Sequence, residues 1–342
     1  MPKSILYLTY DGLSDPLGQS QILPYLEGLG ARGHAITIIS FEKVKGAGFL
    51  GLGPRLNIIP LKYHKSPPVL STLYDLYLLK RAVKKVLKTQ KIDIVHCRSY
   101  VTSLVGLWAK HRFGTKFIFD MRGFWADERV EGGLWNMSNP LFRWVYGYFK
   151  KKERQFIEEA NAVISLTENA KQEIEQWENF GSTVQQFNGK IDKIAVIPTC
   201  ADMNHFNPER VSHEKIEGVK HELGIHQGDF VLLYLGSLGT WYMLEEMLDF
   251  YDILRSKMDK PRFLFVSPDQ QVLKVALTSR NYNHGEIIHT SSSRADVPLF
   301  ISVSSASIFF IKPSYSKKAS AATKMGEIMA MGKASLHEHR LG

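Results

Sequence analysis

With 342 residues, 44% of them hydrophobic and 23% charged, the chain exceeds what one core usually carries, so two globular, soluble domains are expected. The net charge of +9 is unevenly placed: residues 1–198 hold 27 Lys/Arg against 18 Asp/Glu, whereas residues 199–342 hold 16 of each. Cys97 and Cys200 are too few and too far apart for a disulfide framework, which points to a reducing compartment. No run approaches the roughly 18 apolar residues of a membrane span. The opening MPKSILYLTYDG reads as a first strand rather than a signal peptide, so a cytoplasmic protein is expected.

Short apolar runs at residues 5–9, 35–40, 57–60, 94–96, 116–120, 162–166 and 194–197 read as strands. Helical stretches fall at 20–32, 69–89, 100–113, 140–161 and 168–177. The Pro/Asn/Asp-punctuated segment 197–210 reads as a linker. Beyond it the alternation restarts with segments at 230–235, 245–258, 263–267, 287–289, 297–302 and 307–311. Alternating strands and helices imply two doubly wound α/β domains in series, at 1–198 and 199–342. The tail LHEHRLG follows no clear pattern. A doubly wound half usually continues with further strand–helix units, so the second domain reads as incomplete.

Candidate chemistry gathers after predicted strands, where open α/β sheets bind ligands. In DGLSDPLGQSQILPYL, Gly12 and Gly18 bracket a polar turn and Ser20 is placed to cap the next helix; the alternative is a plain Asp/Pro/Gly turn. VHCRSY brings His96, Arg98 and Ser99 to a strand end, unless His96 is a satisfied core residue. FDMRGFWADERVEGG crowds Arg122, Asp127, Glu128, Arg129 and Glu131 into a glycine-bearing loop suited to sugar hydroxyls or phosphates, or else merely solvated. Two basic segments, KRAVKKVLKTQK with Lys80, Lys84 and Lys88 on one stripe, and LFRWVYGYFKKKERQF, suit an anionic lipid surface. Aromatic stripes are otherwise core and charge runs solvated faces. No nucleic-acid module accompanies the charge. Neither a DxD pair nor a His/Cys cluster occurs at ligand spacing, so no metal is expected; GxSxG and P-loop are absent too, and the first βα turn is not a GxGxxG.

The densest signal is SIFFIKPSYSKKASAATKMGEIMAMG, residues 307–332. A strand feeding a small-residue, lysine-bearing loop and a helix N-terminus fits an anionic ligand. Lys324 and Glu327, three apart, share a helix face: one cation for a phosphate, one carboxylate for a hydroxyl pair. The alternative is an ordinary strand–loop–helix unit with a solvated Lys–Glu pair. The ligand reading requires that this pocket be open rather than sealed by side chains.

Taken in order, DPLGQSQ, GLGARGHAITII, VHCRS, DMRGFWADERVEGG, VIPTCADMNHF, YLGSLGTWY and KASAATKMGEIMAMG resemble the GT-B glycosyltransferases of family 4 over nearly the whole chain. The resemblance implies two Rossmann-like domains facing across a cleft, an acceptor side at 1–198 and a nucleotide-sugar side at 199–342. It implies a retaining, metal-independent, hexosyltransferase-type enzyme of polysaccharide biosynthesis. The donor would be a nucleoside-diphosphate sugar, with no cofactor, and the acceptor a hydroxyl of a lipid-linked or surface glycan. The cytoplasmic location expected above, and the basic first domain, fit such an acceptor held at the inner face of a membrane. Glu327 would match the second Glu of the family's E-x7-E element, on the nucleotide ribose, whereas Ala319 stands where the first would be. Ser237 and Tyr242 replace the Arg and Lys of G-R-x-x-x-x-K-G. Lys312, Lys317, Lys318 and Lys324 are then the substitutes for holding the diphosphate. Gly18 would lie near donor phosphates or acceptor. His96, Arg98, Arg122, Asp127 and Glu128 would serve the acceptor side, Arg98 standing where some members have a second histidine. A nucleotide-sugar epimerase, or a non-catalytic binding or assembly protein, would suit the same fold.

Overall fold

A computed structural model describes residues 1–43, 53–177 and 193–337, with the backbone alone of 186–187 and 190–191. The chain divides into two compact units. Among the described residues, one is Met1–Pro198 together with Tyr315–Ala321; the other is Thr199–Ser314 together with Ala322–His337.

In the first unit, β1 (Ser4–Thr9) leads to α1 (Pro16–Gln21) and α2 (Leu23–Ala31), then β2 (Ala35–Glu42) and β3 (Leu56–Lys62). Next come α3 (Leu70–Thr89), β4 (Ile94–Arg98), α4 (Ser99–Phe113), β5 (Lys116–Asp120), α5 (Trp125–Glu131), α6 (Pro140–Glu159), β6 (Ala162–Ser165) and α7 (Glu168–Glu175). A short antiparallel pair, β7 (Gln186–Phe187) and β8 (Lys190–Ile191), precedes β9 (Ile194–Val196). The sheet is parallel, in the order β3-β2-β1-β4-β5-β6-β9. Its strands are continuous apolar runs, as in β1 and β2, because helices cover the sheet and leave no wet face to alternate toward. The order reverses between β1 and β4, whose register sets Tyr7 beside His96 and Thr9 beside Arg98.

The second unit runs α8 (His213–Glu222), β10 (Phe230–Leu235), α9 (Leu244–Lys257), β11 (Pro261–Val266), α10 (Gln270–Leu277), β12 (Ile287–Thr290), α11 (Val297–Val303), β13 (Ala306–Ile308), α12 (Thr323–Ala330) and β14 (Ala334–Leu336). Its parallel sheet has the order β12-β11-β10-β13-β14, reversing between β10 and β13. Phe263, Phe265, Tyr234 and Tyr251 are fully buried in its core.

Several expectations are corrected here. The charged segment after β5 is not a loop: residues 125–131 form α5, too short to show a helical period. Ser20 does not cap a helix, since α1 already starts at Pro16 and the Ser20 hydroxyl donates back to the Pro16 carbonyl at 2.8 Å. α8 buries no residue fully; only Ile216 and Val219, with Leu223 just beyond its end, pack on the second core, a sparse stripe among charged residues that the sequence reading passed over. Segment 297–302, given no type above, is helical; Leu336, the first residue of the tail, ends β14, which pairs with β13, and residues 338–342 lie outside the described residues. Among the described residues no helix is long and apolar enough to cross a membrane.

Close approach of α4 to the sheet depends on Gly106. A Cβ there would lie 2.2 Å from Cys97 Sγ and 3.0 Å from the Phe117 ring. Gly106→Ala is therefore expected to destabilise the protein by about 1–3 kcal/mol, despite the better helix propensity of alanine. Urea unfolding measures it; an unchanged midpoint would contradict the packing described.

Candidate functional site

At the carboxyl ends of β1, β4 and β5 a polar cluster is built into the sheet edge. Arg98 is buried, donating from Nε to Asp11 at 3.1 Å and from Nη2 to the Gln21 side-chain oxygen at 3.2 Å. Arg122 donates to the same Gln21 oxygen at 2.7 Å, with Nη1 3.8 Å from Asp120. His96 lies 3.4 Å from the other Asp120 oxygen and packs on the Tyr7 ring. Burial alone would raise the Asp120 pKa, but the His96 hydrogen bond and the Arg122 and Arg98 charges outweigh it and hold the carboxyl below its usual value. Ser99 and Arg122 both take positive φ, at 68° and 55°, which costs a non-glycine residue roughly 1–3 kcal/mol. Two guanidiniums aimed at one amide oxygen, with Arg122 Nε and one Asp120 oxygen buried without a hydrogen-bond partner, leave donors and an acceptor for a polar ligand. Thus His96, Arg98 and Arg122 come together, as the sequence suggested. Asp11, Gln21 and Asp120 were missed, although Asp120 ends a predicted strand two residues before Arg122.

Asp127 and Glu128 are placed elsewhere. α5 turns Asp127 inward to accept from the Tyr146 hydroxyl and from Lys150, each at 2.8 Å. Lys150 also pairs at 2.5 Å with the fully buried Glu153, which accepts from the Tyr100 hydroxyl. Burial raises the Glu153 pKa, while the Lys150 charge pulls it back. Glu128 pairs with Lys317 at 2.7 Å and Glu173 with Lys318 at 2.9 Å. Lys317 and Lys318, expected beside a phosphate, are thus engaged with carboxylates of the first unit. The reason is local packing: Tyr315 stacks on Phe124 at 5.0 Å, and the backbone N–H groups of Tyr315 and Ser316 donate to Glu131, both at 3.0 Å.

Gly18 is required by packing. A Cβ there would lie 2.2 Å from the Gly12 carbonyl oxygen and 2.6 Å from Leu13 Cα, so α1 can lie on the preceding turn only without a side chain. That turn is clamped by Glu42, which accepts from Leu13 N–H at 2.9 Å and from the Ser14 and Ser40 hydroxyls at 2.6 Å.

In the second unit, Lys324 opens α12 and reaches the β10/β13 reversal. Its Nζ lies 3.8 Å from the Tyr242 ring centroid, 4.7 Å from that of Tyr234 and 5.6 Å from that of Phe309. It has no hydrogen-bond partner and is shut off from solvent. The expectation of an open lysine pocket is corrected: three aromatic rings close over the ammonium. Beside it Gly236 takes φ +112°, and a Cβ there would lie 3.2 Å from Nζ. Burial depresses the Lys324 pKa from 10.5 to about 7, with Glu327 opposing. Glu327 is buried and accepts from Arg294 Nη1 at 3.0 Å, and Arg294 lies over the Phe206 ring. Ser237 sits in the turn after β10, its carbonyl accepting from the Tyr234 hydroxyl at 2.5 Å, while Leu238 N–H donates to Asp269 at 2.7 Å. Lys312 is exposed, its N–H donating to the Trp241 carbonyl at 2.8 Å. Sequence reasoning missed Arg294 and the aromatic enclosure. Tyr242 as the replacement for a lysine was the available clue, since that ring now faces Lys324. Among the described residues no group of three or more His, Cys, Asp or Glu could hold a metal ion.

Comparison with known proteins places the chain in a family. The Glycosyltransferase Family 4 model matches residues 21–205, more than half of the chain. A putative glycosyltransferase of Bacillus subtilis, EpsD, is 23% identical over 188 residues, taking in 54% of this chain and 44% of that protein; the match spans less than half the relative's length. Among solved structures, a glycosyltransferase from Rickettsia africae superimposes with a TM-score of 0.66 at 18% identity, covering 98% of this chain and 79% of that one. The Anabaena protein HepE, solved in complex with UDP and glucose, gives 0.68 at 13% identity, covering 97% and 80%. The fold is that of the GT-B glycosyltransferases.

The enclosed lysine makes a prediction about pH. Between pH 7 and about 10.5 the unfolded chain holds a proton at Lys324 that the folded chain lacks, so stability rises with pH there, by at most about 1.4 kcal/mol per unit. Lys324→Met should remove this rise and exceed the parent's stability most at or below pH 7. Thermal unfolding across pH 6–10 reads it. Parallel profiles would mean that cation–π attraction keeps the amine charged throughout.

Proposed function

Because the chain belongs to Glycosyltransferase Family 4, we propose that it moves a hexosyl group from a nucleoside-diphosphate sugar to a hydroxyl of a lipid-linked or surface glycan. Transfer is metal-independent, retains the anomeric configuration and takes place at the cytoplasmic face of a membrane. The pocket is closed where the sequence-based reading required it open, so this proposal rests on the family match and on the Tyr242 ring moving aside. The observation that favours it is the Lys324 ammonium, held without an acceptor against the bare backbone of Gly236 at a strand-order reversal. A buried donor lacking a partner is what an anionic ligand would satisfy. A relative solved with UDP and glucose supports a nucleoside diphosphate as that ligand.

In this reading the second unit takes the donor. Its diphosphate displaces the Tyr242 ring, meets Lys324 and the backbone turn at Gly236 and Ser237, and draws a full proton onto the amine. Glu327, oriented by Arg294, accepts from the ribose hydroxyls, and the exposed Lys312 adds positive charge. As the anomeric C–O bond breaks, charge grows on the leaving phosphate oxygen, and Lys324 stabilises it more strongly in that dry surrounding than it would in water. The first unit takes the acceptor: His96, Arg98 and Arg122 bind and orient its hydroxyls. Asp127 and Glu128 act at one remove, fixing α5, and Gly18 fixes the turn carrying Gln21. The charge surplus of residues 1–198 suits an acceptor borne on an anionic membrane.

Calorimetric titration with UDP, ADP and GDP tests the donor site. Lys324→Met and Glu327→Ala should each weaken the preferred nucleotide about 10–100-fold, the range of one lost charged contact. Tyr242→Ala, which uncovers the amine, should not weaken it. Unaltered affinity in the Lys324 and Glu327 variants removes the donor-site reading. Incubation with a sugar nucleotide and no acceptor addresses the other chemistry this fold could host: an altered sugar still on its nucleotide would identify an epimerase.

A further inference from the structure

One feature of the first unit is used by neither site. The outer face of α3 carries Leu70, Leu73, Tyr74 and Tyr77, with relative exposures of 63%, 56%, 52% and 55%. Spacings of three and four place all four on one stripe, over the first two turns. Single exposed apolar residues are ordinary, whereas four in a row on one helix are a patch. Toward the carboxyl end the same stripe changes character and becomes Arg81, Lys84, Lys85 and Lys88, all exposed. Asp75 is the helix's one acidic residue, and it points inward, fully buried, accepting from the Tyr10 hydroxyl at 2.8 Å and pairing with His64 at 2.6 Å. The opposite face is committed to the core through Leu79, Val83 and Val86. The helix is therefore anchored on one side and offers solvent a surface half apolar and half cationic, with no exposed carboxylate.

We propose that this face of α3 docks on an anionic lipid bilayer, the leucines and tyrosines entering the headgroup–acyl boundary and the basic residues resting on lipid phosphates. Charge complementarity selects this occupant. A second copy of the chain would set like charges against each other on a shared face, and a nucleic acid would leave the leucines without an apolar partner. Tyrosine suits the position because its ring enters the boundary while its hydroxyl stays wet. α6 is the weaker candidate: Val145 and Phe149 are buried and Lys150 is tied to Asp127 and Glu153. The inference deepens the reading above, taking from it only that the acceptor is membrane-borne.

Flotation of the full chain with vesicles is the test, using pure phosphatidylcholine and a mixture with 30–40% (roughly) phosphatidylglycerol. Binding is expected to the anionic vesicles, to weaken strongly at 0.5 M (about) salt, and to be slight on the neutral ones. Lys84→Gln/Lys88→Gln should lower the partition coefficient about 25-fold, near fivefold per cation. Leu70→Ser/Leu73→Ser should lower it at least about tenfold even at low salt. Both pairs are exposed, so thermal unfolding of each variant should match the parent. Equal binding by parent and variants, or none by the parent, overturns the proposal. So does a self-association, seen in sedimentation, that the leucine pair abolishes while vesicles are ignored. The vesicles hold neither glycan nor sugar nucleotide, so failure here leaves the nucleotide titration untouched, and failure there leaves this result standing.

Discussion

A parallel sheet whose strand order reverses cannot cover the carboxyl ends of the two strands at the reversal, because their following connections leave in opposite directions. Both units of this protein are built on that constraint. In the first, β1 and β4 part and Asp11, Arg98 and His96 gather at the gap. In the second, β10 and β13 part and Lys324 reaches the gap from α12. The residues assigned a functional role at these two places lie at or soon after strand ends, or on the helix that follows.

The two gaps are furnished differently, and the difference is electrostatic. The first holds paired charges: two guanidiniums answered by Asp11 and Asp120, with Gln21 between them. Such a set stays ionised on burial because every charge has a counter-charge or hydrogen bond nearby. The second holds an amine with aromatic faces and no hydrogen-bond partner, its one charged neighbour, Glu327, being tied to Arg294. Desolvation therefore acts on Lys324 almost unopposed, and its proton is held weakly. A paired cluster favours orientation of hydroxyls, whereas an amine poised near neutrality gains most from an arriving anion.

A further network within the first unit is mechanical. Asp127, Lys150, Glu153 and Tyr100 fix α5 against α6, and Glu128 and Glu131 bind the segment that returns to the first unit at Tyr315–Ala321. Charges in a loop-like sequence suggested ligand binding, and their partners turn out to be the chain's own lysines, hydroxyls and backbone N–H groups. Nothing in the local sequence distinguishes these uses, since both need the same residue types.

By itself the sequence determined the alternation of strands and helices, the parallel sheets, the basic bias of residues 1–198, and the candidate residues His96, Arg98, Arg122, Lys324 and Glu327. These are legible because apolar runs and helical periods report burial of whole elements, and because strand ends are where such sheets bind. Short or polar elements, α5, α8 and β14, were not read, as they are too short for a period, carry only a sparse apolar stripe, or depend on pairing with a distant strand. Only the tertiary structure decided that Tyr242 roofs Lys324, that Arg294 holds Glu327 across 33 positions, and that Lys317 and Lys318 are spent on Glu128 and Glu173. A side chain's partner is fixed by packing between segments remote in sequence, and no local pattern carries that information.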